Sequence, residues 1–162
     1  MPGVDWHAAK TYCAGADGRL PTEAEWGFAA RGPDEHTFPW GEAFDGTRLN
    51  SCDAKCPEEH GATAFDDGYE LTAPVGTYAD GVSWCGTLDM AGNVYEWVAD
   101  WRGPHTAADQ QNPTGPSSAE KRVLRGGAYN SSPTAVRSAW RGQLSPESAG
   151  GNLGFRCVWA AE

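Results

Sequence analysis

The sequence predicts an α+β domain: two short helices first, then small antiparallel sheets carrying long loops. Three observations lead there. Two segments near the N-terminus carry helix caps and helical apolar spacing. Three later runs alternate apolar and polar residues as half-buried strands do. Between them, residues 33 to 87 hold turn signals such as FPWGEAFDG and FDDGYE, with no sustained period of either kind.

The first helix is expected to start after Asp5 as N-cap and run to about Gly15. Trp6, Ala9, Tyr12, Cys13 and Ala16 recur at the spacing of one buried face. The second follows LPTEAEWGFAARG, where Thr22 and Glu25 form a capping box and Gly32 stands as the C-cap glycine. The long irregular region needs something to hold it, and Asn50, Asp66, Asp67 and the Cys52/Cys56 pair are the candidates. Strands are expected in NVYEWVADW, RVLRGGAY and LGFRCVWA, and Asn112 to Lys121 reads as an exposed loop.

With 162 residues, 40% of them hydrophobic, the chain has the size of one domain, 1–162, and enough apolar material for a core. The 21 glycines, 11 prolines and 8 tryptophans fit a loop-rich fold pinned by buried rings. Trp6, Trp26, Trp40, Trp84, Trp97, Trp101 and Trp159 are accordingly expected to be mostly core. Net charge is −10, which argues against a nucleic acid or an anionic membrane surface as partner. No apolar run reaches the roughly 18 residues that membrane insertion needs. The start does not read as a signal peptide. If the protein is exported, to the extracellular space or for display on the cell surface, the address lies outside this stretch.

The phrases GRLPTEAEWGFAARG, FPWG, TAPVGTY, LDMAGNVYEWVADW, RVLRGGAY and NLGFRC come in one order. In that order they resemble the formylglycine-generating enzyme (sulfatase-modifying factor) family, over about Val4 to Cys157. The resemblance implies a variant of the C-type lectin fold. The family usually has an N-terminal stretch before the first helix, which this sequence lacks. Its enzymes oxidise a sulfatase cysteine with two copper-binding cysteines placed after the RGG phrase. Here Ser131 and Val136 stand at those positions, and neither binds Cu(I), a soft ion that needs thiolates. Copper and catalysis are therefore not expected.

The four histidines, His7, His36, His60 and His105, are scattered. Cys52, Cys56 and His60 make a C-x3-C-x3-H string with two readings, a zinc site or a local disulfide. Cys85 is then the odd thiol, or the partner of one of the two. The resemblance implies a disulfide between Cys13 and Cys157. It also implies calcium, which takes six to eight oxygens. One ligand set maps onto Asn50, the Ser51 carbonyl, Asp67 and the Tyr69 carbonyl. The other maps onto Asp89, the Gly92 and Val94 carbonyls, and Glu96.

Residues 126–157 alternate fixed-looking structural words with unrelated short runs, on a part of the lectin-like fold that faces ligands. The candidate binding residues are Asn130, Ser131, Ser132, Thr134, Ala135, Trp140, Gly142, Gln143, Leu144 and Ser148. A Trp and a Leu among small polar residues suit a protein or peptide ligand at the 130–152 loops. The layout also resembles the variable regions of diversity-generating retroelement proteins, in which the adenines of Asn codons are randomised. Ser, Thr, Ala, Gly and Leu are reachable from such codons, whereas Trp140 and Gln143 are not. The sequence thus leads to a non-catalytic ligand-binding domain on a calcium-stabilised scaffold. Its alternatives are a divergent oxidase with displaced or missing catalytic residues, and an accessory domain of a longer polypeptide.

Overall fold

Asp5 begins helix α1 (Trp6–Gly15) by accepting the Ala8 N–H on its carboxylate at 2.7 Å. Trp6, Ala9 and Cys13 are its buried face; Tyr12 (58% exposed) and Ala16 point outward, which narrows the expected stripe. Helix α2 (Glu23–Arg31) carries both hydrogen bonds of the Thr22/Glu25 capping box, and Gly32 ends it at φ +70°. The computed structural model describes residues 3–56, 64–104 and 110–160. In the described part of 33–87 the regular structure is two 3-10 turns, Gly46–Arg48 and Ala79–Gly81.

Four strands form one sheet: β1 (Tyr95–Trp101), β2 (Arg122–Arg125), β3 (Gly142–Leu144) and β4 (Leu153–Phe155), in the order β3-β2-β1-β4. The two pairings that β1 makes differ in sense. Strand β2 is antiparallel to β1, but β4 runs parallel to it, with Tyr95 opposite Leu153 and Trp97 opposite Phe155. The sheet is therefore mixed where antiparallel sheets were expected. Strand β3 falls inside the segment read as ligand-facing loops.

Alternation along β1 and β2 decides where each helix packs. Trp97 and Leu124 join Trp6, Ala9, Cys13 and Leu20 in one core; Val98 and Val123 join Trp26, Ala30 and Met90 in another. The sheet is thus filled on both faces, with α1 on one and α2 on the other. A third core lies among the loops, where Phe38, Leu49, Ala91 and Val136 pack together. Of the tryptophans expected inside, Trp84 (49%) and Trp159 (59%) are exposed, each held through its indole N–H to a helix carbonyl region, at Phe28 and Ala16. No helix among the described residues is long and apolar enough to cross a membrane.

Candidate functional site

The long loops are stitched to the sheet at Asn50 and the Gly92–Asn93 turn. Gly92 sits at φ +76°, and a Cβ there would lie 2.1 Å from the Asn50 carbonyl oxygen. Only glycine permits that approach. Asn93, also at positive φ, donates its backbone N–H to the same carbonyl at 2.8 Å, while its side chain exchanges two hydrogen bonds with Ala73. Sequence reasoning missed Asn93, although an Asn after Gly in a turn is the signal for it.

The first calcium set is brought together. One Asp67 carboxylate oxygen accepts from Ser51 N–H at 3.0 Å and the other from Tyr69 N–H at 2.9 Å. Asn50 and Ser51 are 1% and 2% exposed, and Asn50 Oδ1 and Ser51 Oγ have no hydrogen-bond partner. Two further acids complete the group: carboxylate oxygens of Asp53, Asp66 and Asp67 lie within 4.8 Å of one another. Buried Asp53, absent from the expected set, accepts Asp67 N–H at 3.1 Å and Lys55 N–H at 2.8 Å, and Lys55 Nζ pairs with Asp66. Burial pushes the Asp67 carboxyl above its ordinary value, against the pull of the Tyr69 and Ser51 amides. An all-oxygen set with an orphaned amide oxygen fits a hard cation such as calcium.

The second set is arranged differently. Asp89 accepts Gly76 N–H at 2.7 Å. Gly92 donates to the Gly126 carbonyl, and half-buried Val94 follows it in the turn before β1. Glu96 is 6% exposed, and both its oxygens are engaged, by Trp26 Nε1 at 2.7 Å and by Arg156 Nε and Nη2 at 2.6 and 2.8 Å. Arg156 also donates to the Leu88 and Asp89 carbonyls, so the chain's own cation stands between Glu96 and Asp89. Burial opposes the charge of Arg156, and Glu96 more than offsets it, holding the guanidinium above its ordinary value.

The segment expected to face ligands divides by burial. Ser131 (3%) is inside: its hydroxyl donates to Tyr95 OH at 2.8 Å and accepts Ala128 N–H, and its carbonyl accepts Cys52 N–H. Gly142 is buried too, because the Trp140 ring lies where its Cβ would be, at 2.8 Å. These two positions are corrected from surface to interior. Thr134, Gln143 and Leu144 are exposed; Asn130, Ser132, Ala135, Trp140 and Ser148 are half-buried, and Trp140 leans on Tyr95 with ring centroids 5.4 Å apart. Val136 is fully buried in the loop core, where burying a valine contributes about 1.5–3 kcal/mol.

Cysteine pairing resolves the open readings. Cys13 is bonded to Cys157 and Cys52 to Cys56, so the zinc string has lost its thiolates. Cys85 is the free thiol. Burial raises its pKa, but hydrogen bonds with Ser83 and Thr87 outweigh that and leave it lowered. His36 pairs with Glu42 and His7 lies near Glu147, while His60 and His105 lie outside the described residues.

Known proteins resemble this chain in sequence and, among solved structures, in fold. The formylglycine-generating enzyme of Mus musculus is 38% identical over 96% of this chain and 42% of its own length. The inactive C-alpha-formylglycine-generating enzyme 2 of Bos taurus is 37% identical, over 98% of this chain and 49% of its own. The chain spans about half the length of the curated relatives it matches. Among solved structures, Treponema denticola variable protein 1 superposes with a TM-score of 0.69 at 31% identity, covering 85% of this chain and 46% of that one. The fold is accordingly the C-type-lectin-like one of this group. With the sulfatase-modifying factor enzyme 1-like domain matching residues 1–161, the chain belongs to that family.

Proposed function

We propose that this chain is a non-catalytic ligand-binding domain on a calcium-stabilised scaffold. One observation carries the reading: the chain has no pair of thiols for Cu(I). Ser131 and Val136 fill the two positions as packed interior side chains, four cysteines are in disulfides, and Cys85 has no second thiol beside it. A relative named as inactive, at 37% identity, is in keeping with this.

Calcium is assigned to Asn50, Ser51, Asp67 and Tyr69, with Asp53 and Asp66 beside them. Bound there, it would supply the positive charge that the three acids and the orphaned Asn50 oxygen call for. Asp89, Gly92, Val94 and Glu96 are a weaker candidate set, since Glu96 serves Arg156. The ligand surface is the exposed and half-buried part of 130–152, and its partner is a protein or peptide. Two disulfides suit an oxidising compartment.

Metal titration of the purified chain tests both halves. Calcium at about 100 times its Kd should stabilise by about 2.7 kcal/mol, and Asp67→Asn should remove most of that gain. Cu(I) should not bind stoichiometrically, and a cysteine-containing sulfatase peptide should stay unoxidised. Stoichiometric copper with peptide oxidation would establish the oxidase reading instead.

Likeness to a variable protein supports a second reading, that 130–152 is diversified by a retroelement. Sequencing the locus in related isolates decides it. Codon differences concentrated in 130–152 beside a reverse transcriptase gene are expected, and uniform variation with no such gene would end the idea.

A further inference from the structure

On the α1 side of the sheet a cleft of about 820 Å³ opens between α1, the start of α2 and residues 110–114. No residue of the 130–152 surface lines it. Its walls are mostly apolar, with Leu20, Phe28, Ala99 and Pro113 among them, and its volume is that of a small-molecule site.

Arg122 lines this cleft in an unusual setting. Its guanidinium is clamped face-on between two indoles, 3.6 Å from the Trp6 ring centroid and 3.4 Å from that of Trp101. Those rings stack parallel to within 20° at 6.5 Å. With both faces covered, only the edge of the fork remains for hydrogen bonding. Nη1 donates to the Ala99 carbonyl at 2.7 Å, buried Nε has no partner, and Nη2 meets no acceptor among the described residues. Arg122 is half-buried, an unmet donor on it is costly, and a carboxylate is the planar acceptor that a guanidinium edge matches.

The nearby acids among the described residues do not fill that role. Asp100, whose field reaches Arg122, accepts the Glu23 backbone N–H at 2.7 Å. Glu25 is held by Arg19 through two hydrogen bonds of 2.7 and 2.6 Å. Lys10 lines the same cleft with its Nζ 5.2 Å from the Trp6 ring. Arg122 and Lys10 are thus two cations at one apolar cleft with no acidic partner among the described residues, in a chain of net charge −10. We propose that this cleft binds a carboxylate carried on an apolar or aromatic body, with Arg122 as the carboxylate-binding residue. Two sources share that chemistry: a free organic acid and the C-terminal residue of a polypeptide.

The test titrates the whole oxidised chain and reads calorimetry together with tryptophan fluorescence, since Trp6 is the ring against the ligand. The probes are indole-3-acetate and its methyl ester, and an acetylated peptide ending in Leu-Phe as free acid and as amide. At least one acid should bind ten or more times more tightly than its ester or amide. Saturation by the free acid alone supports a small-molecule site, and by the peptide acid alone a chain terminus. Arg122→Lys keeps the charge but loses the fork, and should weaken binding at least tenfold. Because Arg122 also packs, Ala24→Trp is the second variant: it fills the cleft from α2 while leaving Arg122 itself unsubstituted, and should abolish binding. Equal binding of acid and ester, unchanged binding in Ala24→Trp, or no binding of either acid up to about 10 mM overturns the proposal.

Discussion

Glu96 is a buried charge whose needs are fully met. Trp26 and Arg156 give it three hydrogen bonds, and Arg156 is in turn satisfied by the Leu88 and Asp89 carbonyls. Removing one partner of such a pair strands the other in a low dielectric. Glu96→Gln keeps the shape and should therefore cost about 3–5 kcal/mol in denaturant unfolding. A loss under about 1 kcal/mol would mean that the pair is solvated and structurally idle. The family resemblance places Glu96 among metal ligands, in one set with Asp89. Its hydrogen-bond partners stand 60 and 70 residues away, and local spacing carries no information about them. The same holds for Asp53, which is legible as an acid but not as a buried one. Asn50 and Asp67 were legible from the residues as holders of the irregular region, whereas their grouping with Ser51 and Tyr69 came only through the resemblance, which carries the long-range pairing that spacing lacks.

Helix α2 shows what local sequence does determine. Its capping box, its C-terminal glycine and its length are all set by residues within a turn of one another, and each appears as read. The box also has a pH signature. Arg19 is the main cause holding Glu25 down at about 2, against burial, with Thr22 helping. The folded value lies below the ordinary 4.5, so the stabilisation is complete above about pH 4.5 and is lost as pH falls towards 2. Glu25 and Arg19 are about half exposed, so solvent screening limits the effect to about 1 kcal/mol. The stability gap between wild type and Glu25→Gln should close over that window; a gap constant from pH 6 to 2 would contradict the assignment. Strands were less legible than helices. The three-residue β3 is too short to show alternation, and the parallel pairing of β4 with β1 joins segments whose order in space no local pattern records.

Across the whole molecule, the two ends of the fold meet at Cys13 and Cys157. Arg19 and Val158 pair beside that bond, and the indole of Trp97 donates to the Val4 carbonyl, so α1 and the chain after β4 close over the same core. The two disulfides close very different loops, with sequence separations of 144 and 4. Cross-linking restricts the unfolded chain more when the loop is longer. Chain entropy alone gives about 5 kcal/mol for the long loop and about 2 kcal/mol for the short one. The double variant Cys13→Ser/Cys157→Ser should accordingly lose more stability than Cys52→Ser/Cys56→Ser, by about 3 kcal/mol at most, since native relaxation trims the larger figure. Guanidinium unfolding of both variants against the oxidised chain measures the difference. The long-loop variant should also lose stability without calcium present, whereas the short loop holds Asp53 beside Asp67, so its removal should additionally weaken the calcium response. Equal losses in the two variants, with equal calcium responses, would show that neither loop length nor the placement of Asp53 governs how this fold is held.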